Sequence, residues 1–286
     1  MRGANRKPPP EDVLADLIEF HTARPGITEA TLGVCTTAEG KTGYDLLVER
    51  LPAGARNVLD LGCGNGPLLE RLAARTPRLE RIYGVDLCAS DLELARARVA
   101  DERVVLLCEP GQALSLSDGT VDAVLSHHAF YLMDPVEPAL AEIARVLRPG
   151  GVFAFVSFGP GHGPPEPLET MMQRFGELTQ RDNPHFKGWG DRRVFSSEGL
   201  DALLFRSGVG FAGPLHVEPF VLELVEPSQA LVARLMGFFY SVELEKAETR
   251  EELREAWLTA LASTAGVDGN ARLEFPLTMV WVKRAG

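Results

Sequence analysis

The chain has 286 residues, of which 45% are hydrophobic and 24% are charged, a composition typical of a soluble globular protein and not of a disordered or fibrous one. Its 29 lysines and arginines against 40 aspartates and glutamates give a net charge of −11, which disfavours nucleic acid as a partner. The four cysteines show no CxxC pair or zinc-finger spacing, so we expect no disulfide framework, no metal site and a reducing, cytoplasmic setting.

Short apolar runs alternate with segments of helical periodicity from residue 57 onward. Asn57–Leu61 predicts a first strand, which opens into glycines and is followed by a helix over Pro67–Arg75. Arg81–Asp86 predicts a second strand. Ser90, with Glu93 three residues later, has the pattern of a helix N-cap and predicts that a helix begins there.

The same alternation continues through the middle of the chain. Val104–Cys108 and Val121–Ser126 predict the third and fourth strands. Apolar residues at helical spacing predict a helix over Pro135–Arg148, and the continuous apolar run Val152–Phe158 predicts a strand buried on both faces. Alternating strands and helices predict a doubly wound, Rossmann-like α/β domain.

Gly159–Pro167 breaks this rhythm, and the segment beyond it has no clean period. The C-terminal part predicts a helix over Ser197–Arg206, a strand over Leu215–Val225, helices over Gln229–Glu245 and Thr249–Ser263, and a strand over Phe275–Val282. These two strands and the five before them predict a seven-stranded sheet.

Four units follow from this pattern. They are an N-terminal helical cap (residues 1–50), a ligand-binding core (51–158), an insertion that acts as a substrate lid (159–195) and the C-terminal part of the sheet with a helical insertion (196–286). Two interpretations of the apolar residues in the lid segment stay open, ordinary core or pocket lining: Met171, Met172, Phe175 and Trp189.

The motif Asp60–Gly66 (DLGCGNG) lies at a strand-to-helix turn, where glycines let the backbone approach a ligand. Pro67 stands where the dinucleotide fingerprint needs a third small residue, which disfavours an NAD enzyme. Asp86 ends the second strand, where a carboxylate can accept hydrogen bonds from two ribose hydroxyls. The two elements describe a site for an adenosine-type cofactor.

At this point the sequence resembles the class I S-adenosylmethionine-dependent methyltransferases. The resemblance covers about residues 55 to 158 and rests on four collinear blocks: Val58–Gly66, Gly84–Asp86, Leu114–Asp122 and Glu142–Gly151. It implies S-adenosylmethionine as the cofactor. Carried over by position, it implies that Asp60, Gly62 and Gly64 surround the methionine part of the cofactor. It also implies that Asp86 holds the ribose and that Leu87 lines the adenine.

Further contacts follow from the same resemblance. Either Gln112 or Glu109 would read the adenine amino group, and Ser126 and His127 would also contact the cofactor. His127, with His128 and Tyr131 behind it, would lie near the transferring methyl group. Imidazole can take a proton from the attacking atom, so His127 is the first candidate for a general base, with a purely structural role equally open.

Neighbouring side chains on a strand point in different directions, so we expect at most one of the two histidines, His127 and His128, to face the methyl group. No histidine and carboxylate pair shows the spacing of metal ligands.

The function that these features predict is methyl transfer to an O, N or C atom of a small molecule by a monomer or homodimer, with neither nucleic acid nor membrane as a partner. No apolar stretch approaches the roughly 20 residues of a membrane helix. One alternative is a non-methylating reaction that uses the same cofactor, such as a cyclisation or decarboxylation. Another is a catalytically silent scaffold that binds a partner through Met171–Phe175 and Met236–Tyr240.

Overall fold

A computed structural model of the chain describes residues 10–159, 163–184, 190–206, 208–238, 244 and 246–286. Its described part contains seven strands: β1 (Asn57–Leu61), β2 (Arg81–Asp86), β3 (Val104–Cys108), β4 (Val121–His127), β5 (Leu147–Ser157), β6 (Phe211–Pro227) and β7 (Asn270–Arg284). They form one sheet in the order β3-β2-β1-β4-β5-β7-β6. The Rossmann-like, seven-stranded sheet is therefore confirmed.

The described helices are α1 (Pro10–Ala23), α2 (Ile27–Thr31), α3 (Gly43–Val48), α4 (Pro67–Arg75), α5 (Ala89–Arg98), α6 (Val136–Val146), α7 (Leu168–Asp182), α8 (Ser197–Asp201), α9 (Ser228–Phe238) and α10 (Ala247–Ala262). Short helical turns at Leu32–Val34, Phe130–Leu132, Arg192–Phe195 and Ala202–Arg206 complete the regular structure of these residues. No helix among them is both long enough and apolar enough to cross a membrane.

The strands β1 to β5 are all parallel, and this arrangement positions the site. Asp60 pairs in register with Gly84 of β2 and with Leu125 of β4, so the carboxyl ends of these three strands lie at one edge. β7 runs antiparallel to both β5 and β6. The side chains that follow β1, β2 and β4 are thereby brought together.

Two apolar layers cover the faces of the sheet. On one face, Leu47 of α3, Leu69 of α4 and Trp257 of α10 are buried in one cluster. On the other face, Leu140 of α6 packs with Phe153 of β5. Burial of each such side chain contributes about 1.5–3 kcal/mol, so the parallel strands are held rigidly between helices.

Several boundaries differ from the sequence prediction, and two of them lie within residues 51–158. Helix α5 begins at Ala89 with Cys88 as its N-cap, so Ser90 lies inside the helix and does not cap it. The reason is a local turn, since the Cys88 N–H donates to the Asp86 carboxylate two residues before it at 2.9 Å and places the N-cap two positions earlier than predicted. Strand β5 already begins at Leu147, opposite Val121 of β4.

Helix α7, the longest helix within the predicted lid, packs against α10. Met171 is buried there, and its carbonyl oxygen accepts a hydrogen bond from Trp257 Nε1 at 2.8 Å. Met171, Met172 and Phe175 therefore belong to the core, whereas Trp189 lies outside the described residues. Because Met171 is buried, it is not exposed for the partner binding that the scaffold alternative requires. In the other segment of that alternative, Met236–Tyr240, positions 239 and 240 lie outside the described residues.

Candidate functional site

An open cleft lies at the carboxyl ends of β1, β2 and β4, with a volume of about 1040 Å³ when the adjoining open solvent is included. From β1 the chain runs outward to β2 and β3 and then crosses back to β4 on the other side of β1, which makes this the topological switch point where open α/β sheets bind ligands. The wall opposite the sheet comes from the N-terminal helices, through apolar side chains that include Leu17, Ile18 and Ile27.

The loop that follows β1 requires its glycines. Gly62, Gly64 and Gly66 all have positive φ, at 75°, 50° and 86°. A Cβ on Gly62 would lie 2.2 Å from the Cβ of Ala129, whereas a Cβ on Gly64 would meet nothing within 4 Å. The backbone is thus packed against Ala129, just after β4, at Gly62 and leaves open space at Gly64.

Asp86 is held in a fixed orientation at the tip of β2. One carboxylate oxygen accepts from the Gly64 N–H at 2.8 Å, and the other accepts from the Cys88 N–H at 2.9 Å. A carboxylate can accept about four hydrogen bonds, so further acceptor capacity remains for a ligand. Asp86 and Leu87 both line the cleft, and their contacts with ribose and adenine stay predictions.

Asp60 is the most deeply buried acid of the cleft, with 1% of its surface exposed. Its Oδ2 has no hydrogen-bond partner. Burial raises the pKa of Asp60 well above the usual range, and the nearby charge of Asp86 raises it further. An unpartnered buried carboxyl is costly, and a cationic or hydrogen-bond-donating ligand in the cleft would supply the missing partner.

His127 ends β4, and both its ring and that of His128 line the cleft. The four ring nitrogens are buried and have no hydrogen-bond partner. Burial lowers the pKa of His127 well below its usual value, and His128 and Arg71 lower it further. Burial also lowers the pKa of His128 to about 3. Both rings are therefore neutral at pH 7.

The two histidines reach the same cleft, although strand alternation predicts opposite directions. The reason is the backbone of His128, whose φ of 54° lies in the left-handed region that non-glycine residues rarely adopt. Its N–H donates to Val156 O at 2.9 Å. This turn brings the two rings to 4.8 Å between centroids, edge to face.

Tyr44 is a cleft residue that the sequence analysis missed. It lies in the first turn of α3, where Thr42 and Asp45 form a capping box. Its ring stands 3.9 Å from the ring of His127 between centroids, tilted by 32°. The capping-box pattern was the available signal for this helix. No sequence pattern, however, links Tyr44 to a histidine 83 positions later.

The N-terminal helices are fastened over the glycine loop by polar contacts. Glu29 of α2 accepts from Asn65 Nδ2 at 2.6 Å and pairs with the Arg98 guanidinium at 2.7 and 2.8 Å. Asp91 of α5 accepts from the Gly26 N–H at 2.7 Å, and its other oxygen lies 3.7 Å from His21 Nδ1. We name these contacts the N-terminal clamp.

Two predicted site residues do not reach the cleft. Ser126 is fully buried and donates to Leu61 O at 2.8 Å, so it supports the strand. Tyr131 belongs to the helical turn after β4 and packs on Phe195 at 5.1 Å in the apolar layer on the other face of the sheet. Neither side chain lines the cleft in this structure, and the turn at residues 130–132 carries Tyr131 away from the histidines.

Gln112 and Glu109 both line the cleft, so the structure leaves both as candidates for the adenine contact. Gln112 Nε2 donates to Met133 O at 3.1 Å, which leaves the amide oxygen as an acceptor. Glu109 accepts from the Ser115 N–H at 2.9 Å.

None of the described residues between 159 and 195 lines the cleft. Among the described residues the wall opposite the sheet comes from α1 and α2, and α7 packs against α10, so the lid over residues 159–195 stays a prediction. His162 and His185 lie outside the described residues.

Comparison with known proteins identifies methyltransferases as similar to this chain. Residues 59–155 match the family described as a methyltransferase domain. The chain is 35% identical over 227 residues to a malonyl-[acyl-carrier protein] O-methyltransferase of Methylococcus capsulatus, covering 73% of this chain and 76% of that protein. It is 41% identical over 111 residues to an uncharacterised methyltransferase of Mycobacterium tuberculosis, covering 37% of this chain and only 41% of the relative.

A solved structure is similar in fold. Haemonchus contortus phosphoethanolamine N-methyltransferase 2, in complex with phosphomonomethylethanolamine and S-adenosylhomocysteine, superimposes with a TM-score of 0.57 at 18% identity, covering 97% of this chain and 60% of that one. The glycine loop and the acid at the tip of β2 fit a methyltransferase. The identity across three quarters of the Methylococcus protein points to the same family. The chain therefore belongs to the class I S-adenosylmethionine-dependent methyltransferases, a family of enzymes.

Proposed function

We propose that this protein transfers a methyl group from S-adenosylmethionine to a small molecule. The observation that carries the proposal is the buried Asp60 carboxyl, whose Oδ2 has no partner, beside the oriented carboxylate of Asp86 on the same cleft. A cofactor with an ammonium group and a ribose offers the donors that these two acids lack.

The residues present fit this cofactor. Asp60 would accept from its ammonium group, the open backbone at Gly64 would lie against its methionine part, and Asp86 would hold the ribose hydroxyls. Leu87 would cover the adenine, with Glu109 or Gln112 at its amino group. When bound, the cofactor supplies a methyl group on a positively charged sulfur.

His127 is the group we assign to proton transfer. It is neutral at pH 7, so one ring nitrogen carries a lone pair and can accept the proton that the acceptor atom loses as it gains the methyl group. Its lowered pKa makes it a weak base, which removes the proton only as that atom becomes acidic during the reaction. The rigid cleft aligns the two reactants, and such alignment can supply roughly 7–11 kcal/mol of a barrier.

Isothermal titration with S-adenosylmethionine, S-adenosylhomocysteine and NADH tests the cofactor assignment. We expect micromolar binding of the two sulfur nucleotides and none of NADH, followed by transfer of labelled methyl to a small-molecule acceptor. Binding of NADH alone would contradict the proposal. Sulfur-nucleotide binding with the labelled methyl retained during turnover would instead favour the non-methylating alternative.

Replacement of His127 tests the proton-transfer role. His127→Ala should lower turnover by about 10²- to 10⁴-fold, the usual range for a general base, while the Kd for S-adenosylhomocysteine changes by less than about threefold. His128→Ala is the matched control for a second buried imidazole. Activity of His127→Ala that equals the wild type between pH 6 and 9 would rule out the base.

A further inference from the structure

The imidazole of His127 has no hydrogen bond that would fix its orientation. Both ring nitrogens are buried, and neither has a hydrogen-bond partner in the described part of the chain. Where a histidine takes part in a reaction, a hydrogen bond to one ring nitrogen usually sets the tautomer and the direction of the other. The orientation of His127 must therefore come from the side chains that pack against its ring.

Among the described aromatic rings, that of Tyr44 lies nearest to His127. The two ring centroids are 3.9 Å apart and the planes are tilted by 32°, whereas the ring of His128 meets His127 edge to face at 4.8 Å. At the shorter distance the tyrosine ring covers one face of the imidazole. Rotation of the imidazole would drive its edge into this ring, so the stacked contact restricts the rotation.

Tyr44 is itself held firmly by its neighbours. The Arg71 guanidinium lies over its ring, 5.1 Å from the centroid, and a Cβ built on Gly33 would be 3.1 Å from Tyr44 Cε2. Arg71 is fixed in turn, since it donates to the Asp45 carboxylate at 3.2 Å and to Pro67 O at 2.9 Å. Only 4% of the surface of Tyr44 is exposed. The ring is therefore a rigid support for the imidazole.

The contact with His127 is made by the ring of Tyr44 and not by its hydroxyl. Since neither nitrogen of His127 has a partner, the hydroxyl is not hydrogen-bonded to the imidazole. Burial raises the pKa of Tyr44 above its usual value, and the charge of Glu29 raises it further, so the hydroxyl stays protonated at neutral pH. Phenylalanine at this position would preserve the stacked contact. An aliphatic side chain would fill the space without offering a flat face.

We propose that Tyr44 is a positioning residue, whose ring holds the imidazole of His127 in the orientation from which it takes the proton of the methyl acceptor. The inference rests on the proposed function, in which His127 is the proton-accepting group. Stacking orients the imidazole without occupying either ring nitrogen, so the lone pair of the neutral ring stays available to the acceptor.

NMR of protein with ¹³C-labelled histidine tests the contact in the complex with S-adenosylhomocysteine, and the spectrum of His127→Ala assigns the His127 signal. We expect one sharp signal, shifted upfield by the ring at position 44, in the wild type and in Tyr44→Phe. In Tyr44→Leu and Tyr44→Met the shift should be lost and the signal should broaden or split, because the imidazole takes several orientations. His216, stacked on Trp281 at 3.5 Å, is the internal control.

Melting curves establish which variants fold, and Tyr44→Met replaces Tyr44→Leu if the leucine variant does not. A sharp His127 signal in the folded aliphatic variants would overturn the positioning role. The same conclusion would follow if Tyr44→Phe changed the signal as much as Tyr44→Leu does.

Turnover separates positioning from cofactor binding. Labelled methyl transfer to the acceptor that the wild type uses should fall by about tenfold to a hundredfold in Tyr44→Leu and stay within about threefold of the wild type in Tyr44→Phe. The Kd for S-adenosylhomocysteine should change by less than about threefold in both variants. An equal loss of turnover in the two variants would assign the role to the hydroxyl and overturn the proposal.

A double variant tests whether Tyr44 acts through His127. If it does, Tyr44→Leu combined with His127→Ala should be no slower than His127→Ala alone. A further tenfold loss in the double variant would show that Tyr44 acts separately and would overturn the proposal. Failure of the wild type to bind either sulfur nucleotide would instead overturn the proposed function, and the NMR signals of the ligand-free protein would still report the stacked contact.

Discussion

At the scale of single residues, the protonation of Asp60 should make the cofactor affinity depend on pH. Its pKa is raised by burial and then by Asp86, and its charge also acts on Tyr44 of α3 and on Cys63 of the glycine loop. A carboxyl whose pKa is raised on folding contributes stability below its unfolded pKa and loses that contribution as the pH rises through the folded value. The ligand-free protein is therefore destabilised by this group at high pH.

Binding of a cationic cofactor should consequently release a proton from Asp60. Below the raised pKa the free protein holds the proton, and the ligand favours the ionised form, so affinity rises with pH and levels off above that pKa. Titrations with S-adenosylmethionine in two buffers of different ionisation enthalpy measure the release. Asp60→Asn should abolish it and raise the melting temperature of the ligand-free protein at high pH. Equal heats in both buffers would contradict this role.

Asp86 supports a second prediction about a single side chain. Asp86→Ala should weaken cofactor binding by a few kcal/mol at most, because charge-assisted hydrogen bonds to the ribose are lost together with the contacts to Gly64 and Cys88. Asp86→Asn keeps an acceptor and should bind with intermediate affinity. Calorimetry with S-adenosylhomocysteine measures both variants, and an unchanged Kd in Asp86→Ala would refute the ribose assignment.

At the scale of elements, helix α3 positions the imidazole of His127. The capping box at Thr42 fixes the helix start, and Gly43 then lies against the ring. A Cβ built on Gly43 would be 2.5 Å from His127 Nε2, closer than real contacts allow. The φ of Gly43 is not positive, so alanine suits its backbone and only the contact with His127 opposes it.

Gly43→Ala should therefore displace His127 without unfolding the helix. We expect turnover to fall by about tenfold to a hundredfold, because small misplacements of a reacting group are costly. The melting temperature and the affinity for S-adenosylhomocysteine should stay near wild type. Gly176→Ala, on the exposed side of α7 where a Cβ meets nothing within 4 Å, is the control. Full activity in Gly43→Ala would mean that the ring position is unimportant.

At the scale of the whole molecule, the N-terminal clamp links the N-terminal helices to two other parts of the chain, the glycine loop and helix α5. Glu29 of α2 pairs with Arg98 of α5 and accepts from Asn65 of the glycine loop. A ligand in the cleft would lie between these helices and the glycine loop, so we expect the strength of the clamp to influence how fast the ligand enters and leaves.

Weakening the clamp should accelerate ligand exchange. Glu29→Gln and Arg98→Gln should each speed dissociation of S-adenosylhomocysteine several-fold, and the double variant should add little, since a partly exposed bidentate pair contributes about 1 kcal/mol. Stopped-flow dissociation measures the rates. The Arg174 and Glu177 pair on α7 supplies control variants away from the cleft. Wild-type dissociation rates in both clamp variants would show that the helices do not limit exchange.

Much of the parallel half of the sheet could be predicted from the sequence. The apolar runs of β1 to β4 match the observed strands closely, and helix α4 is found over the predicted residues Pro67–Arg75. Local signals suffice there, because each of these strands is a short apolar run and helix α4 shows one apolar face. The start of α5 was placed wrongly, since it depends on the bond from Cys88 to Asp86, a contact between side chain and backbone that periodicity does not encode.

The sequence by itself determined that the glycine loop, Asp60, Asp86 and His127 meet at one edge, because parallel strands align their carboxyl ends. Only the tertiary structure decided which elements close the cleft. In the structure, Tyr44 lines the cleft and the clamp residues lie over the glycine loop. Tyr131 and Ser126 do not line the cleft, and α7 packs in the core. The physical reason is that these positions depend on packing between elements distant in sequence and on one left-handed residue, His128.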